Sequence, residues 1–294
     1  MIHQLVLALF KISLVMFMVG NLSAMGLQIR LADAIRSLKN WPFVLRALIA
    51  CFVLSPALAY GITLAVSLER PYAIGVLLLG MAPAAPFVPL VVKRANGDLS
   101  AAACFMLLAS MGTIVAMPFG VPLVAKGFSV SAWTIAKPLI FLVLLPLIAG
   151  ILIRYHSATT ADWIYRYVKN ATGTSTLFFL VLVVILNFKS FLGAVGSHAF
   201  LAQFFYVPAL AVVGYWIGTG LPHDVRSVMS LGICTRNIGA AAAIVGTSGD
   251  QRIMVMLVIA TLVTVAVSFA AAARFARMGI KAHRVQLPAK MAKI

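Results

Sequence analysis

The chain has 294 residues, 63% of them apolar and 10% charged, with a mean hydropathy of +1.07. A water-soluble domain carries about 25% charged residues, so this composition excludes an ordinary globular enzyme, a disordered chain and a disulfide-rich secreted module. A net charge of +17 would point to nucleic acid in a soluble protein, but here the solvent is lipid and the charge belongs to the loops between spans, so no nucleic-acid partner is expected.

A spanning helix needs about 20 apolar residues. Hydropathy and the breaks at Pro, Gly and charge place spans at 5–26, 43–66, 70–93, 99–125, 133–153, 173–195, 199–221, 225–247 and 251–273. The expected fold is an all-α polytopic membrane protein with about nine transmembrane helices. The first apolar run has no small-residue cleavage site behind a short core, which reads as a retained span and not a removed signal peptide. Lys11, inside that span, reaches headgroups by snorkelling.

Four regions follow. Residues 1–153 form a first half with spans one to five, of which spans one to four are the first repeat. Residues 154–172, with Trp163, Tyr165 and Tyr167 among charges, form an amphipathic cytoplasmic linker. Residues 173–273 form a second half with spans six to nine, and 274–294 a basic cytoplasmic tail able to meet anionic lipid.

Alternate loops set the orientation, because 16 of the 23 Lys and Arg residues fall on one side. Arg30, Arg36, Lys39, Arg46, Lys93 and Arg94 begin that set; Arg154, Arg166, Lys169, Arg226 and the tail complete it. The other side holds only Arg70, Lys126, Lys137, Lys189 and Arg252. The reading is an integral protein of the plasma (inner) membrane, with its N-terminus outside and its C-terminus in the cytoplasm. Cys51, Cys104 and Cys234 lie in apolar stretches and read as packing residues, with no disulfide, metal site or cofactor expected.

Two segments cannot be ordinary helices. Gly80–Pro89 carries prolines at 83, 86 and 89 in the third span, each removing a backbone donor and clashing with the preceding turn. Such irregular backbone survives at membrane depth only where it is buried in protein or lines a watery cavity. The second segment, Leu231–Ile244 in the eighth span, contains Arg236 beside Asn237. A charge at that depth costs about 3 kcal/mol on insertion scales, and all six acids fall in loops or at span ends. Arg236 therefore either bonds the carbonyls freed by the prolines or receives an anionic ligand group, and the two roles are compatible. Gly239 and Ala240–Ala243 allow close helix crossing. A crossing of the third and eighth spans near the midplane is the arrangement of a secondary transporter with inverted repeats.

At these segments the chain resembles the bile acid:sodium symporter family of secondary transporters, over nearly its whole length. The resemblance includes Met25–Arg30, the Pro83–Pro86 stretch before Ala95-Asn-Gly-Asp98, and Arg236-Asn237 followed by small residues. It is a divergent match. Against the family's Pro-Gly-Gly-x-x-Ser-Asn, Pro83 matches, Ala84 and Ala85 replace the glycines, and Val88 and Pro89 replace Ser-Asn. Against Glu-x-Gly-x-Gln-Asn, Asn237 matches while Gly232 replaces Glu and Arg236 replaces Gln; Ala102 and Met106 stand where the next helix has hydroxyls.

The resemblance implies that these departures remove most side-chain sodium ligands, since hard cations take oxygen donors. It also implies that the first family span is absent, and that spans three, four, eight and nine form a core moving against a panel of the others. The expected function is alternating-access transport of a small or amphipathic organic anion without sodium coupling, with Arg236 in place of a cation site. The expected substrate-contacting residues are Arg236, Asn237, Thr235 and Ser230 on one break and Pro83, Ala84, Ala85 and Pro86 on the other. Asn21, Ser23 and Asn187 read as interhelical hydrogen-bonding residues.

Two other readings compete: a sodium-coupled organic anion symporter, and a non-transporting membrane sensor or scaffold. A membrane enzyme would need a catalytic constellation at depth, and the spans contain neither acid nor His.

Overall fold

The computed structural model describes residues 2–124, 132–186, 188–248 and 250–291. Lys126, Asn187 and Lys293 lie outside them. All regular structure among these residues is helical.

Helix α1 is Ile2–Gln28 and α2 is Leu31–Leu38, a short amphipathic helix with Asp33 in its first turn and Arg36 in its last. Helix α3, Trp41–Ala65, starts where Asn40 accepts a hydrogen bond from Phe43 N at 3.3 Å. It widens into one π turn at Ala50–Leu54, immediately before Ser55-Pro56. The ring of Pro56 would meet the Phe52 carbonyl in a regular helix, and the wider turn relieves that clash. Helix α7, Ala132–His156, repeats the device at Ile140–Leu144 before Pro146.

Helices α4, Arg70–Gly80, and α5, Val88–Arg94, are the two parts of the expected third span, separated by residues 81–87. Helix α6 is Leu99–Val124, capped by Asp98, whose Oδ1 accepts from Ser100 N at 2.7 Å and Ala101 N at 3.0 Å. Helix α8, Ala158–Leu186, begins inside the expected linker 154–172. Past Ser157 that segment is the first half of a continuous helix, because it holds no Pro or Gly to stop one before Gly173. Helices α9, Phe188–Gly196, and α10, Ala199–Ile217, follow. The expected eighth span is again split, into α11, His223–Cys234, and α12, Ile238–Ser248. The long α13, Gln251–Met291, closes the described chain.

Seven helices (α1, α3, α6, α7, α8, α10 and α13) are long and apolar enough to cross a membrane. With the two split pairs they account for the expected hydrophobic segments.

Two bodies can be traced in the packing, joined along α12, which touches α1 and α7 as well as α4 and α13. Helix α1 lies along α7 and α8. Gly26 and Gly150 bring α1 and α7 backbone to backbone, since a Cβ at either glycine would strike main-chain atoms of the other helix. Phe17 stacks on Phe179 of α8, with centroids 4.9 Å apart. The second body contains both split pairs with α3, α6, α10 and α13. Helices α3 and α10, expected on the panel side, pack instead against the split pairs. Ser55 of α3 and Tyr206 of α10, both fully buried, reach into the breaks and hold them there.

Candidate functional site

The three prolines define the problem that the site solves. In a continuous helix Pro83, Pro86 and Pro89 would leave the carbonyls of Leu79, Ala82 and Ala85 without donors. Each of these carbonyls has found another. Arg236 Nη1 donates to Leu79 O at 3.1 Å, Asn237 N to Ala82 O at 2.8 Å, and Val88 N to Ala85 O at 3.0 Å. Leu79 O also accepts from Ala82 N at 3.1 Å, and two of these donors, Arg236 and Asn237, come from the other split helix.

The two unwound segments pair as short antiparallel strands through a bridge between Pro83 and Arg236. Ala84 N donates to Thr235 O at 3.0 Å and to Gly232 O at 3.3 Å. Thr235 adds its side chain, with Oγ1 accepting from Ala85 N at 3.3 Å and donating to Leu231 O at 2.9 Å. Asn237 caps α12, its Oδ1 accepting from Ala240 N at 3.1 Å. The antiparallel pairing gives the two breaks opposite chain direction, as inverted halves require. Ala84 takes a positive φ of 63°, a conformation costing a residue with a Cβ about 1–2 kcal/mol. Glycine stands there in the motif that the sequence resembles.

Arg236 is fully buried. Its Nη1 also donates to Ser55 Oγ at 2.8 Å, and Ser55 passes a hydrogen bond on to Gly80 O at 2.8 Å. The Tyr206 hydroxyl lies 3.0 Å from Ser55 Oγ, and the guanidinium carbon 5.8 Å from the Tyr206 ring centroid. The guanidinium is thus directed at α3 and α10. It is held by a hydroxyl, a carbonyl and an aromatic face, with no carboxylate among them.

A cavity of about 740 Å³ lies on another side of the crossing, between the two bodies. Pro86, Phe87 and Leu90 of the first break form one wall, and Asn21 and Gln28 of α1 with Thr176 of α8 face them. Arg30, Lys93, Arg154 and Lys169 line it together with Asp33 and Asp162. Arg154 is paired with Asp162 at 2.6 Å and donates to Leu27 O at 2.5 Å. The lining cations outnumber the acids.

Of the eight residues expected to contact substrate, only Pro86 lines this cavity. Pro83, Ala84, Ala85, Thr235, Arg236 and Asn237 build the crossing itself. Ser230 ties α11 to α10 through a 2.6 Å bond to Ala211 O. Sequence reasoning missed Phe87 and the polar stripe Asn21 and Gln28, whose seven-residue spacing marks one helix face. Asn21 makes the expected interhelical bond, to Thr176 Oγ1 at 3.3 Å, while also lining the cavity.

Residues 12–194, well over half of the chain, match the model of the Sodium Bile acid symporter family. The chain belongs to the sodium bile acid symporter family. That is a family of secondary transporters, not of enzymes, which agrees with a membrane-embedded crossing beside a cavity. No curated protein matches the chain. The family match ends before α10, so the second break, with Arg236, lies beyond the matched residues. Its likeness to the family pattern stands on the pairing with Pro83.

The crossing and the helix after it present Val88, Pro89, Ala102, Met106, Gly232 and Arg236. None of these side chains offers an oxygen. The nearby carbonyls of Leu79, Gly80 and Ala82 already accept hydrogen bonds from within the chain.

Proposed function

We propose that this member of the family carries an organic anion across the plasma (inner) membrane by alternating access, without sodium, and that the guanidinium of Arg236 stands in the place of the transported cation. The observation that carries this reading is the bond set of Arg236 Nη1 to Ser55 Oγ and Leu79 O. A tethered charge is held there by the hydroxyl and carbonyl oxygens that a hard cation would use.

The cavity supports the anionic substrate. Arg30, Lys93 and Lys169 face it without the internal pairing that Arg154 has, and their field favours a negative headgroup. Phe87, Leu90 and Ala24 supply the apolar walls for an amphipathic body. With the N-terminus outside and the C-terminus cytoplasmic, the basic rim is the cytoplasmic mouth and the structure is inward-facing. Pro86 and Phe87 then meet the substrate directly, while Pro83, Ala84, Ala85, Ser230, Thr235 and Asn237 keep the break in shape.

The test is a thermal-shift panel of small organic acids and sterol acids, each in sodium chloride and in potassium chloride, on native protein and Arg236→Gln. A ligand of the folded state raises the melting temperature. Equal stabilisation of native protein in the two salts is the expected result, with the shift lost or made sodium-dependent in the variant. A saturable requirement for sodium in the native protein would overturn the proposal in favour of an ordinary sodium symporter. Binding of no acid, together with no uptake by proteoliposomes, would leave a sensor or scaffold.

A further inference from the structure

Arg236 has an edge that the crossing does not use. Only Nη1 is bonded; Nε and Nη2 have no acceptor among the described residues, although the side chain is 0% exposed. These two nitrogens present their N–H groups side by side on one edge of the planar fork, the edge that grips an anion bidentately. A guanidinium stays protonated in proteins, so this edge carries charge into a low-dielectric interior.

Among the described residues no acidic side chain pairs with it. Arg236 bonds the Ser55 hydroxyl and the Leu79 carbonyl, faces the Tyr206 ring, and has the buried thiols of Cys51 and Cys234 within its field, none of them a carboxylate. Asp33, Glu69, Asp98, Asp162, Asp224 and Asp250 are all partly or fully exposed. A second orphan lies on α10. Gln203 lies three residues before Tyr206 and so shares its face of α10; it is 0% exposed, and neither Nε2 nor Oε1 has a partner among the described residues. A buried amide without hydrogen bonds is as unfavourable as the orphan guanidinium edge.

The geometry points to a binding site for one small monovalent inorganic anion, of chloride or bromide size, on the Nε–Nη2 edge of Arg236, with the Gln203 amide as a further donor from α10. One charge answers one charge. Complete burial selects a small ion over an organic one, and Arg236 does not line the 740 Å³ cavity, so the site is separate from the one proposed for substrate. A bound halide leaves the body containing the crossing electrically neutral at membrane depth, which removes most of the cost of carrying a lone cation there. The inference does not rest on the carrier reading, since the ion would answer Arg236 in a scaffold as well.

The experiment uses the full chain purified in gluconate and titrated with chloride, then with bromide, with no organic acid present. The expected result is a melting temperature that rises and saturates with either halide and does not respond to sulfate at equal ionic strength. Arg236→Lys keeps a cation but loses the side-on pair, and should lose the saturable shift. Gln203→Leu should raise the half-effect halide concentration several-fold. A shift that grows without saturation and is shared by sulfate overturns the proposal, as does an unchanged shift in Arg236→Lys. Should the lysine variant not fold, anomalous scattering from bromide decides: density against Arg236 supports the site, and density elsewhere or none overturns it. Because the organic-acid panel is run at constant chloride, the two readings fail separately.

Discussion

Arg236 Nη1 donates to the carbonyl of Leu79 at 3.1 Å, the carbonyl whose regular helical donor Pro83 removes and which Ala82 N also reaches at 3.1 Å. A residue in one broken helix thereby repairs a defect in the other. The same nitrogen reaches Ser55 Oγ, so the repair runs through α3 as well.

Ser55 is the shared partner of that arrangement, and its removal should be felt widely. Ser55→Ala leaves Gly80 O and part of the Arg236 guanidinium unsatisfied, and should destabilise the protein by about 2 kcal/mol, each orphaned buried group costing about 1–3 kcal/mol. Tyr206→Phe should cost about 1 kcal/mol. Unfolding in detergent measures both, and the double variant should lose less than the sum, because one network is being broken twice.

Ala84 and Ala85 should respond oppositely to glycine. At Ala84, with φ at 63°, glycine removes a backbone strain of about 1–2 kcal/mol, which offsets the added freedom of the unfolded chain. Ala84→Gly should be neutral or stabilising, while Ala85→Gly should lose about 0.5–1 kcal/mol. Melting temperatures in one detergent would check the pair, and equal losses would contradict the conformational argument.

The cavity cations should govern substrate capture more than turnover. Arg30→Gln and Lys93→Gln should each raise KM for an anionic substrate several-fold with little change in maximal rate, and the difference from native protein should shrink at high salt. Initial uptake rates into proteoliposomes at two ionic strengths give the answer. An effect on rate alone would move these residues out of substrate recognition.

The contact of Gly26 with Gly150 sets how closely α1 approaches α7. Gly26→Leu places a side chain against Leu147 O and the Gly150 backbone and should destabilise by about 1–3 kcal/mol. The control is Gly61→Leu, where a Cβ meets nothing within 4 Å.

Much of the crossing was legible because proline chemistry is local. Three missing donors in seven residues force a break, and a buried Arg with no nearby acid must look for carbonyls, as it does at Leu79. The side to which Arg236 points was not legible, because that depends on which helices bring hydroxyls to it, and Ser55 lies 181 positions away. The cavity was hidden for a similar reason. Asn21, Gln28 and Thr176 are single polar residues on apolar helices, each explicable alone by a local or interhelical bond, and only the fold brings them into the lining of one cavity with Phe87. Within the 154–172 segment the lack of Pro and Gly lets a helix begin at Ala158, so its charges and aromatics lie on the first turns of a long helix.

The strand-like pairing of Pro83 with Arg236 also limits where motion can occur. Sliding one unwound segment past the other would rupture the bonds of Ala84 N and Asn237 N together, at a depth where no solvent waits to replace them. The two segments act as a rivet, and in the carrier proposed above the motion would fall at the contacts with α1, α7 and α8. In hydrogen-exchange terms, the amides of Ala84 and Asn237, although outside any helix, belong with the slowest in the molecule, opening only when the whole body opens.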